Sequence, residues 1–129
     1  MTEFMIEERY CSYELCKLLK EKGFDVPCSK AYMNDSMVIK SIVQPIDFNS
    51  SGYVSRPTHQ MAMDWLIEIH NIFIVVEPHM YDYINEKNSS YVTSLWQGDN
   101  YYENITSKDY PTYEDAIEAA LKCSLENLI

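Results

Sequence analysis

The stretch THQMAMDWLIEIHNIFIVV, residues 58–76, decides the fold class. Thr58 is a natural helix N-cap. From His59 to His70 only Gln60, Asp64 and Glu68 recur as a polar stripe at helical spacing. Met61, Ala62, Met63, Trp65, Leu66, Ile67 and Ile69 take most of the remaining circumference, which predicts an enclosed central helix over 59–70. Asn71 can close that helix in the left-handed conformation. Ile72-Phe73-Ile74-Val75-Val76 follows at once and reads as a buried strand.

Working outward, Pro78 bends or stops the strand, and residues 80–84 are its expected continuation. Residues 86–90 form a polar turn, 91–97 the returning strand, and Gly98-Asp99-Asn100 a second turn before a short edge strand at Tyr101-Tyr102. Upstream, Ser12 caps a helix over 13–22, and Gly23 stops it. A strand at 31–33, a turn at Asn34-Asp35-Ser36 and a strand at 37–43 follow. Pro45 and Asn49-Ser50-Ser51-Gly52 then open a surface loop. Thr112 caps the last helix, over 113–127. The expected class is α+β: a small, mostly antiparallel sheet of about four strands with three helices, in one domain spanning 1–129. The expected core holds Leu15, Leu18, Leu19, Met61, Trp65, Leu66, Ile69, Phe73, Val75, Ile117, Leu121 and Leu128.

All three helices open with a similar tag: Ser12-Tyr13-Glu14, Thr58-His59-Gln60 and Thr112-Tyr113-Glu114. Their separations are unequal and the segments between them do not align, so the tags are shared capping chemistry, not a duplicated unit.

The 129 residues carry a formal charge of −10 and are 47% hydrophobic, the composition of a globular domain and not of a disordered chain. The acids crowd the second half. Residues 64–129 hold 12 acids and 3 bases, against 8 and 7 in residues 1–63. Direct nucleic-acid binding is not expected from such a chain. Its acidity serves solubility, or else it presents a face that imitates nucleic acid or docks on a basic partner. The cysteines Cys11, Cys16, Cys28 and Cys123 form no CxxC pair and no zinc-finger spacing with histidine. No apolar run is long enough to cross a membrane, and no leader-like segment opens the chain, so the expected location is the reducing cytoplasm.

Candidate chemistry is sparse. His59 and His70 are three helical turns apart, about 16 Å at about 1.5 Å per residue, too far to share a metal ion. Asp64 and Glu68 lie one turn apart and could divide acid and base roles, or simply form the exposed stripe of their helix. With three glycines and no GxGxxG, P-loop, GxSxG or HExxH motif, neither a phosphate cradle nor a known nucleophile arrangement is signalled. No cofactor or metal is expected. The aromatic residues stand out instead. Tyr81, Tyr83, Tyr91, Trp96, Tyr101 and Tyr102 gather around the second hairpin, and strand alternation should send some of them to solvent. They either pair across strands to stiffen the sheet or form a contact surface.

The run RPTHQMAMDWLIEIHNIFIVV, residues 56–76, the segment LLKEKGFDV at 18–26, and the closing residues 113–128 together resemble a family of short, uncharacterised proteins from gut anaerobes and their phages or mobile elements. The resemblance covers about a third of the chain and contains no catalytic signature. It implies a small accessory protein of a mobile element and assigns no functional residue.

Three functions follow as expectations. The first is a non-enzymatic protein-binding module that meets a protein partner or a second copy of itself through the aromatic hairpin or the acidic half. The second is an acidic decoy of a nucleic-acid-binding host protein. The third is a small metal-dependent or hydrolytic enzyme using His59 or His70 with Asp64 or Glu68.

Overall fold

A computed structural model describes residues 8–79, 90–103, 105–106 and 108–129. In chain order the elements are α1 (Tyr13–Glu21), β1 (Lys30–Asn34), β2 (Met37–Lys40), a 3₁₀ turn (Phe48–Ser51), β3 (Val54–Ser55), α2 (His59–His70), β4 (Ile72–His79), β5 (Ser90–Gln97), β6 (Asn100–Tyr102) and α3 (Tyr113–Asn127). The class is α+β, and the order of helices and strands broadly matches the expected one. The described strands make two sheets, not one: β2-β1-β3 and β4-β5-β6, every pairing among them antiparallel.

Local chemistry sets the helix boundaries. Ser12 Oγ accepts from Leu15 N–H, Thr58 Oγ1 from Met61 N–H and Thr112 Oγ1 from Asp115 N–H, each at 3.1–3.2 Å. The three matching tags are therefore caps. At the end of α1, Gly23 takes φ 92°, its N–H donates to the Lys20 carbonyl, and Phe24 N–H reaches back to Leu19. This is a Schellman closure that only a residue tolerant of positive φ makes cheaply. Asn71 ends α2 at φ 56°, as the sequence predicts.

Burial corrects the sequence reading of the core. Of α2, only His59, Ala62, Trp65 and Leu66 are buried, and Ile69 is 62% exposed. The enclosed helix is α3, which buries Ala116, Ile117, Ala120, Leu121, Ser124 and Leu125 and touches α1, α2, β4 and β5. Its small residues at 116, 120 and 124 let neighbouring elements approach closely. Phe73 leaves the expected core as well. On β4, Ile72 and Ile74 face inward opposite Gln97 and Leu95, so Phe73 turns outward and is 42% exposed. Leu18, Met61 and Leu128 are half-buried against the core, whereas Leu15, Leu19, Trp65, Leu66, Ile117 and Leu121 lie within it.

The strand expected at 37–43 stops at Lys40. Ile46 and Cys28 exchange backbone hydrogen bonds beyond it, and the chain between bulges outward. β3 was not foreseen. It is two residues long and exists only through its pairing with β1.

Three cysteines belong to the core: Cys11, Cys16 and Cys28 are buried, and Cys123 is half-buried. Burial first, and then Cys16, pushes the Cys28 thiol from its ordinary 9.0 up to about 12. The Cys11 thiol is also raised, by its hydrogen bond with Cys16 and by burial. A thiol reagent at pH 8 should therefore modify Cys123 alone in the folded protein, the other three becoming reactive only on unfolding. The same shift has a thermodynamic sign. Between pH 9.0 and about 12 the unfolded chain has released the Cys28 proton and the folded chain has not, so stability falls as pH rises through that window. Melting temperatures measured across it should decline less steeply for Cys28→Ala than for the wild type.

Candidate functional site

Two places gather side chains that could carry a function. The first lies where α1 and α2 begin. Residues 9–12 run antiparallel to 57–59, with Cys11 N–H donating to the Pro57 carbonyl and His59 N–H to Arg9, so the two helix N-termini start side by side. Glu118 of α3 reaches into that junction. It accepts from Ser12 N–H at 2.7 Å and from Ser12 Oγ at 3.3 Å, and its Oε1 lies 3.3 Å from His59 Nε2. A carboxylate facing two helix N-termini is electrostatically well placed.

By helical spacing Glu118 falls on the polar face of α3 with Asp115, Lys122 and Glu126. A polar residue at helical spacing carries no mark of what it will meet, and the missed role has no sequence signal. The arrangement does not activate a nucleophile. The carboxylate, not the imidazole, stands beside the Ser12 hydroxyl, which already caps α1. Replacing Glu118 by Ala removes its hydrogen bonds to Ser12, whose exposed N–H water can then take, and should cost about 0.5–1.5 kcal/mol in urea unfolding. Glu118→Gln, which keeps an acceptor there, should cost less.

The other proposed acid–base partners stay apart. Asp64 accepts from Gln60 at 2.8 Å, and His70 packs edge-on against Trp65 with ring centroids 4.8 Å apart. His59 has Glu118 as its acid, not Asp64 or Glu68. Among the described residues no three His, Cys, Asp or Glu side chains are grouped to hold a metal ion. An open groove of about 1080 Å³ lies between α1 and α3, with Leu15, Leu18 and Ala119 along it and Glu14, Glu126, Lys17 and Lys122 at its borders. Its mixed charges favour no single class of small molecule.

The second place is the outer face of the β4-β5-β6 sheet. Phe73 stands directly opposite Trp96, and Trp96 directly opposite Tyr101, one aromatic residue on each of three neighbouring strands. Trp96 and Tyr101 are 41% and 45% exposed, with ring centroids 4.7 Å apart at an interplanar angle of 38°. Glu77 shares the Phe73 face of β4, Asp99 lies in the β5–β6 turn and Glu103 follows β6, so acids border the row. Of the aromatic candidates, the structure brings Trp96 and Tyr101 together and adds Phe73, which the sequence reading placed in the core. Tyr102 and Tyr91 are half-buried, the latter edge-on to Tyr113 at 6.1 Å. Tyr81 and Tyr83 lie outside the described residues.

Other tyrosines are engaged structurally. Arg56 lies over Tyr10 and Tyr32, Lys30 over Tyr10 and Lys17 over Tyr13, each within 5.3 Å of the ring centroid. The two places thus define an α+β protein with a helix junction closed by Glu118 and an aromatic row bordered by acids. Among the described residues no helix is long and apolar enough to cross a membrane. The chain matches no family model, no curated protein and no solved structure.

Proposed function

We propose that the protein is a non-enzymatic protein-binding module whose contact surface is the row Phe73–Trp96–Tyr101. The observation that carries this reading is the exposure of three aromatic rings in register across three strands. Aromatic residues in a contiguous exposed patch supply large contact area at low entropic cost, the chemistry of interface hot spots. The bordering acids and the π faces together suit a partner segment that presents arginine beside apolar side chains. An accessory protein of a mobile element would act through such a contact.

The decoy reading has less to support it. Glu114 is engaged by Arg9 at 2.9 Å and Glu118 by Ser12 and His59, so neither contributes freely to an acidic face. Selection from a displayed random-peptide library distinguishes the cases. Wild-type protein should enrich peptides with arginine next to apolar residues, and the Trp96→Ala/Tyr101→Ala protein should not. Enrichment of the same peptides by both proteins contradicts the proposal.

A further inference from the structure

We infer that the open edge of β2, with the apolar loop that follows it, is a self-association surface that pairs with the β2 edge of a second copy of this chain. Among the described residues, in the order β2-β1-β3, β2 is an outer strand. Ser41 N–H donates to the Ser29 carbonyl, and Arg56 N–H takes the Lys30 carbonyl toward β3. The Lys30–Lys40 pair is therefore a non-bonded one, and by the two-residue period Lys40 and Val38 turn their N–H and C=O groups to the open edge. Edges of this kind template the addition of another strand unless charge, proline or a covering element blocks them.

Apolar side chains surround this edge. Met33, Met37, Val38 and Ile46 are half-exposed, while Ile42 and Val43 are 97% and 91% exposed. The loop that presents them is held at both ends: by Ser41 N–H on Ser29, by the Cys28–Ile46 pair, and by Ser41 Oγ on the Gln44 carbonyl. Ile42 and Val43 are thus displayed by ordered backbone.

Charge selects the occupant. Two chains of −10 repel one another over most of their surface. Residues 29–46, however, contain Lys30, Lys40 and only one acid, Asp35, so this segment does not share the acidic excess that drives two copies apart. Strand geometry is compatible with a two-fold axis through Ile39. Val38 then bonds to Lys40 of the second copy and Lys40 to its Val38, giving four backbone hydrogen bonds without setting lysine opposite lysine. That register carries the 42–43 loop of each copy alongside the half-exposed Met37 of the other.

Sedimentation velocity up to millimolar concentration tests the inference. Wild type should dimerise reversibly, and more tightly as salt is raised, because the general acidic repulsion is screened. Ile42→Asp/Val43→Asp places charge on two side chains that are already almost wholly exposed, so its melting curve should be unchanged while the dimer weakens at least tenfold. Val38→Pro removes an outward N–H, at an edge position where proline belongs, and should weaken the dimer comparably. Trp96→Ala should leave dimerisation intact, which separates this surface from the aromatic row. A wild type that stays monomeric throughout overturns the inference. So does a dimer that survives the double aspartate substitution, or a monomer that instead binds phosphatidylcholine vesicles through Ile42 and Val43.

Discussion

Leu121→Ala should lower the unfolding free energy by about 2–5 kcal/mol, the cost of a cavity left by a large aliphatic side chain in a filled interior. Leu121 is fully buried on α3, the helix that touches α1, α2, β4 and β5, so no single neighbour can relax into the gap. Ile69→Ala on α2 provides the contrast. That side chain lies mostly in solvent, and its loss should shift stability by no more than about 0.5 kcal/mol. Urea unfolding of the two variants measures both values. If Ile69→Ala costs as much as Leu121→Ala, α2 is the central helix after all.

The second large effect falls on binding. Trp96→Ala removes the middle member of the aromatic row, the ring that faces both Phe73 and Tyr101 across the strands. Truncating a central aromatic anchor typically costs 2 kcal/mol or more, which is about 30-fold in affinity. The same change should cost little stability, because the ring is on the outer face of the sheet. Titrating a library-selected peptide into the wild type and the variant gives the affinities, and thermal melts give the stabilities. A 30-fold loss of affinity with a nearly unchanged melt separates a contact residue from a structural one. Equal losses in both would make the row a stiffening device for the sheet.

The helices were legible because their signals are local. Ser12, Thr58 and Thr112 each place a hydroxyl three residues before the N–H it caps, and Gly23 and Asn71 stand where positive φ is needed. The misreading of α2 has a physical cause. Its apolar content shows what the helix could bury, not how many neighbours reach it. The β4-β5-β6 sheet is also packed by α3, whose alanines allow closer approach than the methionines of α2. Phe73 failed for a related reason. An unbroken run such as Ile72 to Val76 has no alternation to fix which parity faces inward, and the pairing of Ile74 with Leu95 settles it.

What depends on distant contacts was not legible at all. The division into two sheets, the two-residue β3, and the meeting of Glu118 with Ser12 and His59 across a separation of 106 and 59 residues have no trace in local pattern. The aromatic row was half visible. The concentration of tyrosine and tryptophan around the second hairpin pointed to Trp96 and Tyr101, but only the strand register joins Phe73 to them.

The most direct test of the binding surface follows the backbone and indole N–H resonances of isotopically labelled wild-type protein during titration with a selected arginine-bearing peptide. The two tryptophans make it decisive, since Trp65 is buried against Phe24 and Trp96 faces solvent. The account predicts that the Trp96 indole signal shifts together with the amides of Phe73 and Tyr101, while the Trp65 indole stays in place. Shifts centred on Ser12, His59 and Glu118, with Trp96 unmoved, would contradict it.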